Sequence, residues 1–222
     1  MKKKNKNWLT KKNKDWYFKK SKSFGYKSRS AFKLIEMDKK FKFLNKNTNL
    51  LDLGCSPGGW TQVASEKIKN GMICALDIKP MEKISNVKFI NEDLFSDHVY
   101  EKVSGFFNKK IDVVISDMAA NTSGNKSLDS YRTGELCLRA MDLAKNILNK
   151  DGVFLSKVFM GSIFVEITRT LLAIDSIMTF GIPSRVEVKT NISKLGKRAL
   201  ISLTYPKKDI LFDSPLCSTV CS

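Results

Sequence analysis

The sequence of 222 residues has no apolar run near the roughly 18 residues that a membrane-spanning helix requires. Its five cysteines lack the paired spacing of zinc ligands, and an odd number argues against a framework of disulfides. We therefore exclude a membrane protein, a small secreted disulfide-rich protein and a zinc module. Unpaired cysteines favour an intracellular location, with cytoplasm, nucleus and mitochondrion as alternatives.

Acidic residues are scarce in only one part of the chain. Residues 1–46 contain 17 Lys and Arg against 3 Asp and Glu, whereas the remaining residues contain 22 against 19. The formal net charge of +17 is therefore concentrated near the N-terminus, which is typical of a protein that binds a polyanion. With 42% hydrophobic residues, the chain can fold as one domain of ordinary size.

The basic N-terminal part also contains aromatic residues, namely Trp8, Trp16, Tyr17, Phe18, Phe24, Tyr26 and Phe32. Aromatic rings among lysines can stack on bases while the cations contact phosphates, so our first interpretation is an RNA-contacting arm. A solvated tail is the second interpretation, and a mitochondrial presequence is the third. We assign residues 1–30 to this arm, residues 31–206 to one domain and residues 207–222 to a flexible tail.

Helix-like and strand-like runs alternate along the rest of the chain. We predict helices over Ser30–Leu44, Trp60–Ile68, Asp97–Phe107, Asp129–Leu148 and Ile163–Ile174. We predict strands over Asn49–Leu53, Met72–Ile78, Val87–Ile90, Ile111–Ser116, Gly152–Phe159, Arg185–Val188 and Ala199–Tyr205. The alternation predicts a Rossmann-like α/β fold with a mostly parallel, seven-stranded sheet and helices on both faces. The last two strands are close enough in sequence to form a hairpin, which makes one strand antiparallel.

The most informative motif is the segment from Asp52 to Trp60, where a strand enters a glycine-rich turn and then a helix. Glycines allow a ligand to approach the backbone closely, and a helix N-terminus presents free N–H groups. The candidate cofactor-binding residues of this segment are Gly54, Ser56, Pro57, Gly58, Gly59 and Trp60. The spacing is not G-x-G-x-x-G, and Pro57 lacks an N–H that a pyrophosphate would require, so a nicotinamide cofactor is disfavoured.

Two carboxylates follow at the ends of the next two predicted strands. Asp77 comes nineteen residues after Gly58, where it can accept hydrogen bonds from both ribose hydroxyls of a nucleoside cofactor. Asp93 is placed either to accept a hydrogen bond from an adenine amino group or to cap a helix. A cofactor with a ribose and no phosphate fits this set, and S-adenosylmethionine is the common one.

Charged residues also occur at the carboxyl ends of the fourth and fifth predicted strands. Asp117 directly follows the fourth strand and Lys157 lies near the end of the fifth, so we expect both beside the cofactor crevice. One interpretation is a structural ion pair; in the other, Lys157 accepts a proton from a ribose hydroxyl during methyl transfer. Lys33 is either an ordinary surface lysine or a second cation that favours the neutral form of Lys157. Asp117 would hold the lysines and face the methionine end of the cofactor.

These segments together resemble the FtsJ/RrmJ family of ribose 2′-O-methyltransferases over residues 8–205. The resemblance is strongest in Tyr26–Leu34, Asp52–Trp60, Ser116–Ala119 and Lys157–Phe159. It implies the fold of an S-adenosylmethionine-dependent methyltransferase, a monomer, and a reaction without a metal. It also makes a cleaved presequence a weaker interpretation, because the similarity already starts in the arm.

The resemblance also implies a catalytic tetrad of Lys, Asp, Lys and Glu. Three members correspond to Lys33, Asp117 and Lys157. The Glu would lie at the start of the last strand, near Ala199, where this chain has no acid, and Ala120 replaces a proline that is usual in the family. Because the presumed base is Lys157, we still expect activity.

The segment from Ser116 to Asn121 is similar to that of the family branch that methylates large-subunit ribosomal RNA, often at a uridine. The partner implied by the resemblance is therefore ribosomal RNA or the large ribosomal subunit, with no membrane. Two alternatives are a methyltransferase that acts on tRNA or an mRNA cap, and an RNA-binding assembly factor with weakened chemistry.

Overall fold

The computed structural model describes the backbone of residues 16–159, 163–164, 166–167, 176–181, 189–190 and 197–204, and the side chains of residues 19–159, 163–164 and 166–167. The helices are α1 (Trp16–Ser23), α2 (Ala31–Phe41), α3 (Gly59–Lys67), α4 (Val99–Phe107) and α5 (Lys126–Ile147). The strands are β1 (Leu50–Leu53), β2 (Ile73–Asp77), β3 (Val87–Asn91), β4 (Ile111–Ser116), β5 (Leu148–Phe159), β6 (Ser176–Gly181), β7 (Lys189–Thr190) and β8 (Lys197–Thr204). None of the described helices is both long and apolar enough to cross a membrane.

All strands belong to one sheet in the order β3-β2-β1-β4-β5-β8-β6-β7. Strands β1 to β5 are all parallel to their neighbours. The strand order changes direction at β1, which lies between β2 and β4. In parallel sheets the carboxyl ends of the strands beside such a switch point form the ligand crevice. The topology therefore places the candidate site at the ends of β1, β2 and β4.

Two apolar clusters hold helices on opposite faces of this sheet. Successive strand residues point to opposite faces, so Leu50 packs with α2 and α3 on one face, and Leu51 packs with α4 and α5 on the other. Val114 and Ile115 of β4 divide in the same way. The predicted α/β architecture with helices on both faces is confirmed.

The predicted sheet of seven strands with one antiparallel strand is wrong. Strand β8 covers most of the predicted Ala199–Tyr205 run, but it pairs in parallel with both β5 and β6 instead of forming a hairpin. The antiparallel pair consists of β6 and the short β7. The residues of β6 do not by themselves predict a strand. They follow a predicted helix, and a short apolar run at that place cannot be distinguished from the end of the helix. Arg185–Val188 and most of the predicted helix Ile163–Ile174 lie outside the described residues.

Helix α5 begins earlier than the sequence pattern predicts. It starts at Lys126 and not at Asp129, because Asn125 caps it. The Asn125 side chain accepts hydrogen bonds from the N–H groups of Ser127 (3.1 Å) and Leu128 (3.3 Å). The cap fixes the start of the helix that lies beside the site.

Candidate active site

The turn between β1 and α3 is the glycine-rich segment of the sequence motif. Gly54 and Gly58 have φ values of +74° and +108°, in the left-handed region that favours glycine. A Cβ atom on Gly54 would lie 2.1 Å from Met118 Cγ, and one on Gly59 would lie 1.9 Å from Ser28 Oγ. The turn therefore requires glycine, because other segments of the chain pack directly against its backbone.

A cleft of about 360 Å³ lies beside this turn. Its lining includes five of the predicted cofactor-binding residues, Gly54, Ser56, Asp77, Asp93 and Asp117. The remaining lining residues are Leu76, Ile78, Lys79, Glu92, Leu94, Met118, Ala119, Ala120, Asn121 and Leu136. The topology thus brings together polar residues that are far apart in the sequence.

The other four predicted cofactor-binding residues do not belong to this lining. Pro57 is exposed on the turn, whereas Gly58 and Gly59 are buried behind it. Trp60 is only 2% exposed, and its Nε1 donates a hydrogen bond to the backbone oxygen of Ser30 (2.8 Å). These residues hold the turn in shape, and their direct contact with a cofactor stays a prediction.

Asp77 is fixed in the cleft by the backbone of the surrounding loops. Its Oδ2 accepts a hydrogen bond from Ser56 N–H and its Oδ1 accepts one from Lys79 N–H, both at 2.8 Å. Each carboxylate oxygen can accept a further hydrogen bond. Asp77 is therefore held in one orientation with acceptor capacity left on both oxygens, and its contact with ribose hydroxyls stays a prediction.

The neighbouring part of the cleft combines a carboxylate with an exposed apolar side chain. Asp93 accepts a hydrogen bond from Phe95 N–H through Oδ1 (3.0 Å), which stabilises a turn. It does not cap a helix, because α4 begins only at Val99 with His98 at its N-cap position. Ile78 is 62% exposed although it lines the cleft. A flat apolar ring such as adenine would remove this surface from water.

The turn directs its N–H groups into the protein rather than toward a phosphate. The N–H groups of Gly54 and Cys55 both donate to Leu76 O, and that of Ser56 donates to Asp77. The carboxylates of the cleft would repel a pyrophosphate and attract the cationic sulfonium and ammonium groups of S-adenosylmethionine. The residues therefore fit this cofactor, and the contacts of Asp77 with the ribose and of Asp93 with the adenine stay predictions.

Asp117 and Lys157 form a direct ion pair at the edge of the cleft. Lys157 Nζ donates to Asp117 Oδ1 at 2.8 Å and to Asp117 O at 2.7 Å. The two side chains are only 21% and 13% exposed. Strands β4 and β5 pair with Ser116 opposite Ser156, which brings the two following residues together. The ion pair exists, and proton acceptance by Lys157 stays a prediction.

Lys33 of α2 belongs to the same cluster. Burial lowers the pKa of Lys33; the negative charge of Asp117 opposes this shift, whereas the positive charges of Lys157 and Arg29 add to it. The three predicted catalytic residues therefore lie close enough to influence one another. Lys33 is half-buried, so it is not an ordinary solvated lysine on a helix surface.

Asp52 is a buried acid below the cofactor turn, and no role was predicted for it from the sequence. It is 0% exposed, and its Oδ2 accepts a hydrogen bond from Thr61 Oγ1 (2.5 Å). Among the side chains that the structure describes, its Oδ1 has no hydrogen-bond partner. The pKa of Asp52 is raised to about 7, mainly by burial; the hydrogen bond from Thr61 opposes this rise, and the negative charges of Asp117 and Asp77 add to it. An acid within an apolar strand was the available sequence signal.

The chain before α2 packs against the back of the cofactor turn. Lys27 N–H donates to Gln62 Oε1, and Gln62 Nε2 donates to Gly25 O, both at 3.1 Å. Tyr26 OH donates to Glu66 Oε2 at 3.2 Å. These contacts join the predicted arm to α3. They could not be predicted from a local sequence pattern, because they connect residues that are far apart in the sequence.

Comparison with known proteins gives similar sequences and a similar structure. The FtsJ-like methyltransferase family matches residues 26–175. The ribosomal RNA large subunit methyltransferase E of Pelagibacter ubique is 46% identical over 163 residues, which are 73% of this chain and 80% of that protein. The protein of the same name from Rickettsia felis is 40% identical over 163 residues, 71% of this chain and 72% of that one. A ribosomal RNA methyltransferase crystal structure from Plasmodium falciparum has a TM-score of 0.63 and 37% identity, covering 67% of this chain and 86% of that one.

The fold and the cleft define an α/β enzyme that uses a nucleoside cofactor without phosphate. The chain belongs to the FtsJ-like methyltransferase family. It is therefore a methyltransferase, and S-adenosylmethionine is its methyl donor. The resemblance and the cofactor predicted from the sequence are both confirmed.

Proposed function

We propose that the protein transfers a methyl group to the ribose 2′-hydroxyl of a nucleotide in large-subunit ribosomal RNA, at a uridine. The observation that carries the proposal is the Asp117–Lys157 pair with Lys33 beside it, at the edge of the cofactor cleft. The names of the relatives support ribosomal RNA as the substrate. The excess of Lys and Arg in residues 1–46 supports a polyanionic substrate.

Lys157 is the residue that we propose to accept the hydroxyl proton. A neutral amine has two N–H groups and one lone pair, and Asp117 supplies two acceptors through Oδ1 and its backbone oxygen. With both N–H groups bound to Asp117, the lone pair of Lys157 can face the ribose hydroxyl. When bound, S-adenosylmethionine supplies the electrophilic methyl group that the hydroxyl oxygen attacks.

Lys33 has a supporting electrostatic role in this proposal. The carboxylate of Asp117 favours the charged form of Lys33 and so opposes the lowering of its pKa by burial. The positive charge that remains on Lys33 stabilises the negative charge that develops on the ribose oxygen. The chain has Ala199 where the resemblance implies a Glu. Because the proposed steps use only Lys33, Asp117 and Lys157, we propose that the reaction proceeds without that acid.

We also propose that the protein acts as a monomer inside the cell, which size-exclusion chromatography and fractionation would test. Within the part of the chain that the structure describes, no three His, Cys, Asp or Glu side chains form a group that could hold a metal ion.

The experiment that tests the proposed function measures methyl transfer from labelled S-adenosylmethionine to three substrates in parallel. These are ribosomal RNA stripped of protein, intact large ribosomal subunits and tRNA. We expect label in ribosomal RNA, found as 2′-O-methyluridine after digestion, and no label with Lys157→Ala. Label only in tRNA would contradict the proposed substrate. Absence of label despite bound cofactor would favour an RNA-binding assembly factor.

A further inference from the structure

Phe24 is the most exposed of the large hydrophobic side chains among the described residues, at 63%. Ile78 is almost as exposed, but it lines the cofactor cleft and would be covered there. Phe24 takes part in neither the cleft nor the catalytic cluster. A single exposed apolar side chain is common on protein surfaces, so the case for a ligand rests on the groups that surround Phe24.

The position of Phe24 is fixed by the end of helix α1. Tyr26 N–H donates to Ser21 O (2.8 Å), and Gly25 N–H donates to Lys22 O (3.2 Å). Gly25 has a φ of +72°. These features form a Schellman motif, which ends a helix in one defined geometry. The backbone of Phe24 is therefore already in place before any partner binds.

The ring of Phe24 is supported by other aromatic rings and a cation. The rings of Phe24 and Phe32 meet edge to face with centroids 6.2 Å apart, and those of Tyr26 and Phe32 do so at 5.5 Å. Lys20 Nζ lies 5.7 Å from the Phe24 centroid and 5.2 Å from the Phe32 centroid. We refer to Phe24, Tyr26, Phe32 and Lys20 as the Phe24 platform. A ring that stays 63% exposed in this platform offers most of its surface to a ligand.

The Phe24 platform lies close to the catalytic cluster. Phe32 directly precedes Lys33 in the first turn of α2. Arg29, between the platform and that turn, is near enough for its charge to lower the pKa of Lys33. The platform and the catalytic cluster therefore share the first turn of α2, which makes the platform a candidate contact for a nucleic-acid strand that reaches the cluster.

We propose that the Phe24 platform stacks on a base of single-stranded RNA next to the target nucleotide, while Lys20 contacts a phosphate. This inference rests on the proposed function, because it names the contact that guides the RNA substrate to Lys33. The strongly basic composition of residues 1–46 favours a polyanion over a protein surface at this place. An aromatic ring beside a cation matches the alternating bases and phosphates of a single strand.

The test measures binding of fluorescein-labelled oligouridine to the full chain by fluorescence anisotropy. Phe24→Ala should raise the Kd by about tenfold, because one stacked base is lost. Phe24→Trp should bind as tightly as wild type, and Phe24→Leu should resemble Phe24→Ala, because leucine is apolar but has no ring. Tyr100→Ala is the matched control, since Tyr100 is a 47% exposed aromatic residue on α4, and it should leave the Kd unchanged.

Salt dependence separates stacking from charge. Phe24→Ala should keep the wild-type slope of log Kd against log salt concentration, whereas Lys20→Gln should reduce the slope by about 0.7, as expected for one phosphate contact on a single strand. Unchanged oligouridine binding by Phe24→Ala, or wild-type binding by Phe24→Leu, would overturn the inference. So would a Phe24→Ala defect seen only with intact ribosomal subunits, which would indicate a protein contact.

The same proteins are assayed for methyl transfer to stripped ribosomal RNA. Failure of the wild type both in that assay and with intact large ribosomal subunits would contradict the proposed function, while the oligouridine result would still decide the role of Phe24. Wild-type melting temperatures for the Phe24 variants would show that loss of binding is not loss of folding.

Discussion

The two halves of the cleft are constructed differently. In the cofactor half, backbone groups fix the functional carboxylate, since both oxygens of Asp77 accept hydrogen bonds from main-chain N–H groups. In the catalytic half, Asp117 and Lys157 form a direct ion pair, and Lys33 interacts with both through its charge. One half is fixed by local chain geometry and the other by electrostatic balance.

This difference implies a separation of effects. A substitution in the cofactor half should change the affinity for S-adenosylmethionine with little effect on the rate at saturation. A substitution in the catalytic half should change the rate and leave cofactor affinity close to that of the wild type. Each of the following variants either sharpens this separation or contradicts it.

Replacing Lys33 should have a large effect on rate alone. Lys33→Met removes the second cation of the cluster, so we expect kcat to fall by about 100-fold through loss of charge stabilisation in the transition state. The Kd for S-adenosylmethionine, measured by calorimetry, should not change. Lys39→Met, at an exposed position of the same helix, is the matched control. Full activity of Lys33→Met would show that Lys33 is a surface lysine without a role.

Replacing Asp77 should affect binding instead. Asp77→Ala removes the carboxylate proposed to hold the ribose, and a lost charged hydrogen bond of about 2 kcal/mol corresponds to a Kd for S-adenosylmethionine about 30-fold higher. Asp93→Ala should have a smaller effect, because Asp93 is exposed and already caps a turn. Both variants should reach nearly wild-type kcat at saturating cofactor. An unchanged Kd for Asp77→Ala would refute its ribose-binding role.

Asp52 makes the stability of the cofactor half depend on pH. Burial raises its pKa from 3.8 to about 7, so the folded protein keeps a proton that the unfolded chain has released. The contribution of Asp52 to the free energy of unfolding is fully favourable below about pH 4. It decreases as the pH rises to about 7 and stays constant at higher pH. Asp52→Asn cannot ionise. The difference in melting temperature between Asp52→Asn and the wild type should therefore shift in favour of the variant from pH 5 to pH 8. An equal difference at the two pH values would contradict the raised pKa of Asp52.

The smallest expected effect is on a helix cap outside both halves. Asn125→Ala removes the side chain that caps α5. We expect a loss of about 1 kcal/mol in the free energy of unfolding, measured by urea titration. Neither kcat nor the Kd for S-adenosylmethionine should change by more than a factor of about two. A larger change in kcat or in this Kd would show that Asn125 also positions residues of the site.

The features that follow from chain-local patterns were predictable from the sequence. The segment Asp52–Trp60 indicated the turn, and apolar runs followed by Asp117 and Lys157 indicated neighbouring strand ends. Because β4 and β5 pair in parallel, Asp117 and Lys157 then lie next to each other. The carboxylate at Asp77 was predictable for the same reason, because its distance from the turn is set by one strand–helix–strand unit.

The features that depend on tertiary contacts were not predictable. The contacts of Gly25 and Lys27 with Gln62 join a segment assigned to an arm to the helix behind the turn. The burial of Trp60 behind the turn could not be read from its place in the motif, since an aromatic residue after a glycine turn can face either side. Strand β6 was missed because its short apolar run lacks a distinguishing period.

The central claim is that Lys157 accepts the ribose proton while Asp117 holds it. The most direct test compares the single-turnover rate of methyl transfer to ribosomal RNA for wild type, Lys157→Ala and Lys157→Arg, with cofactor affinity measured on the same preparations. Arginine keeps the positive charge but has no accessible neutral form. We predict that both variants lose about 1,000-fold in rate and bind S-adenosylmethionine like the wild type. A Lys157→Arg variant with nearly wild-type rate would show that only the charge of Lys157 is needed, and would contradict its assignment as the base.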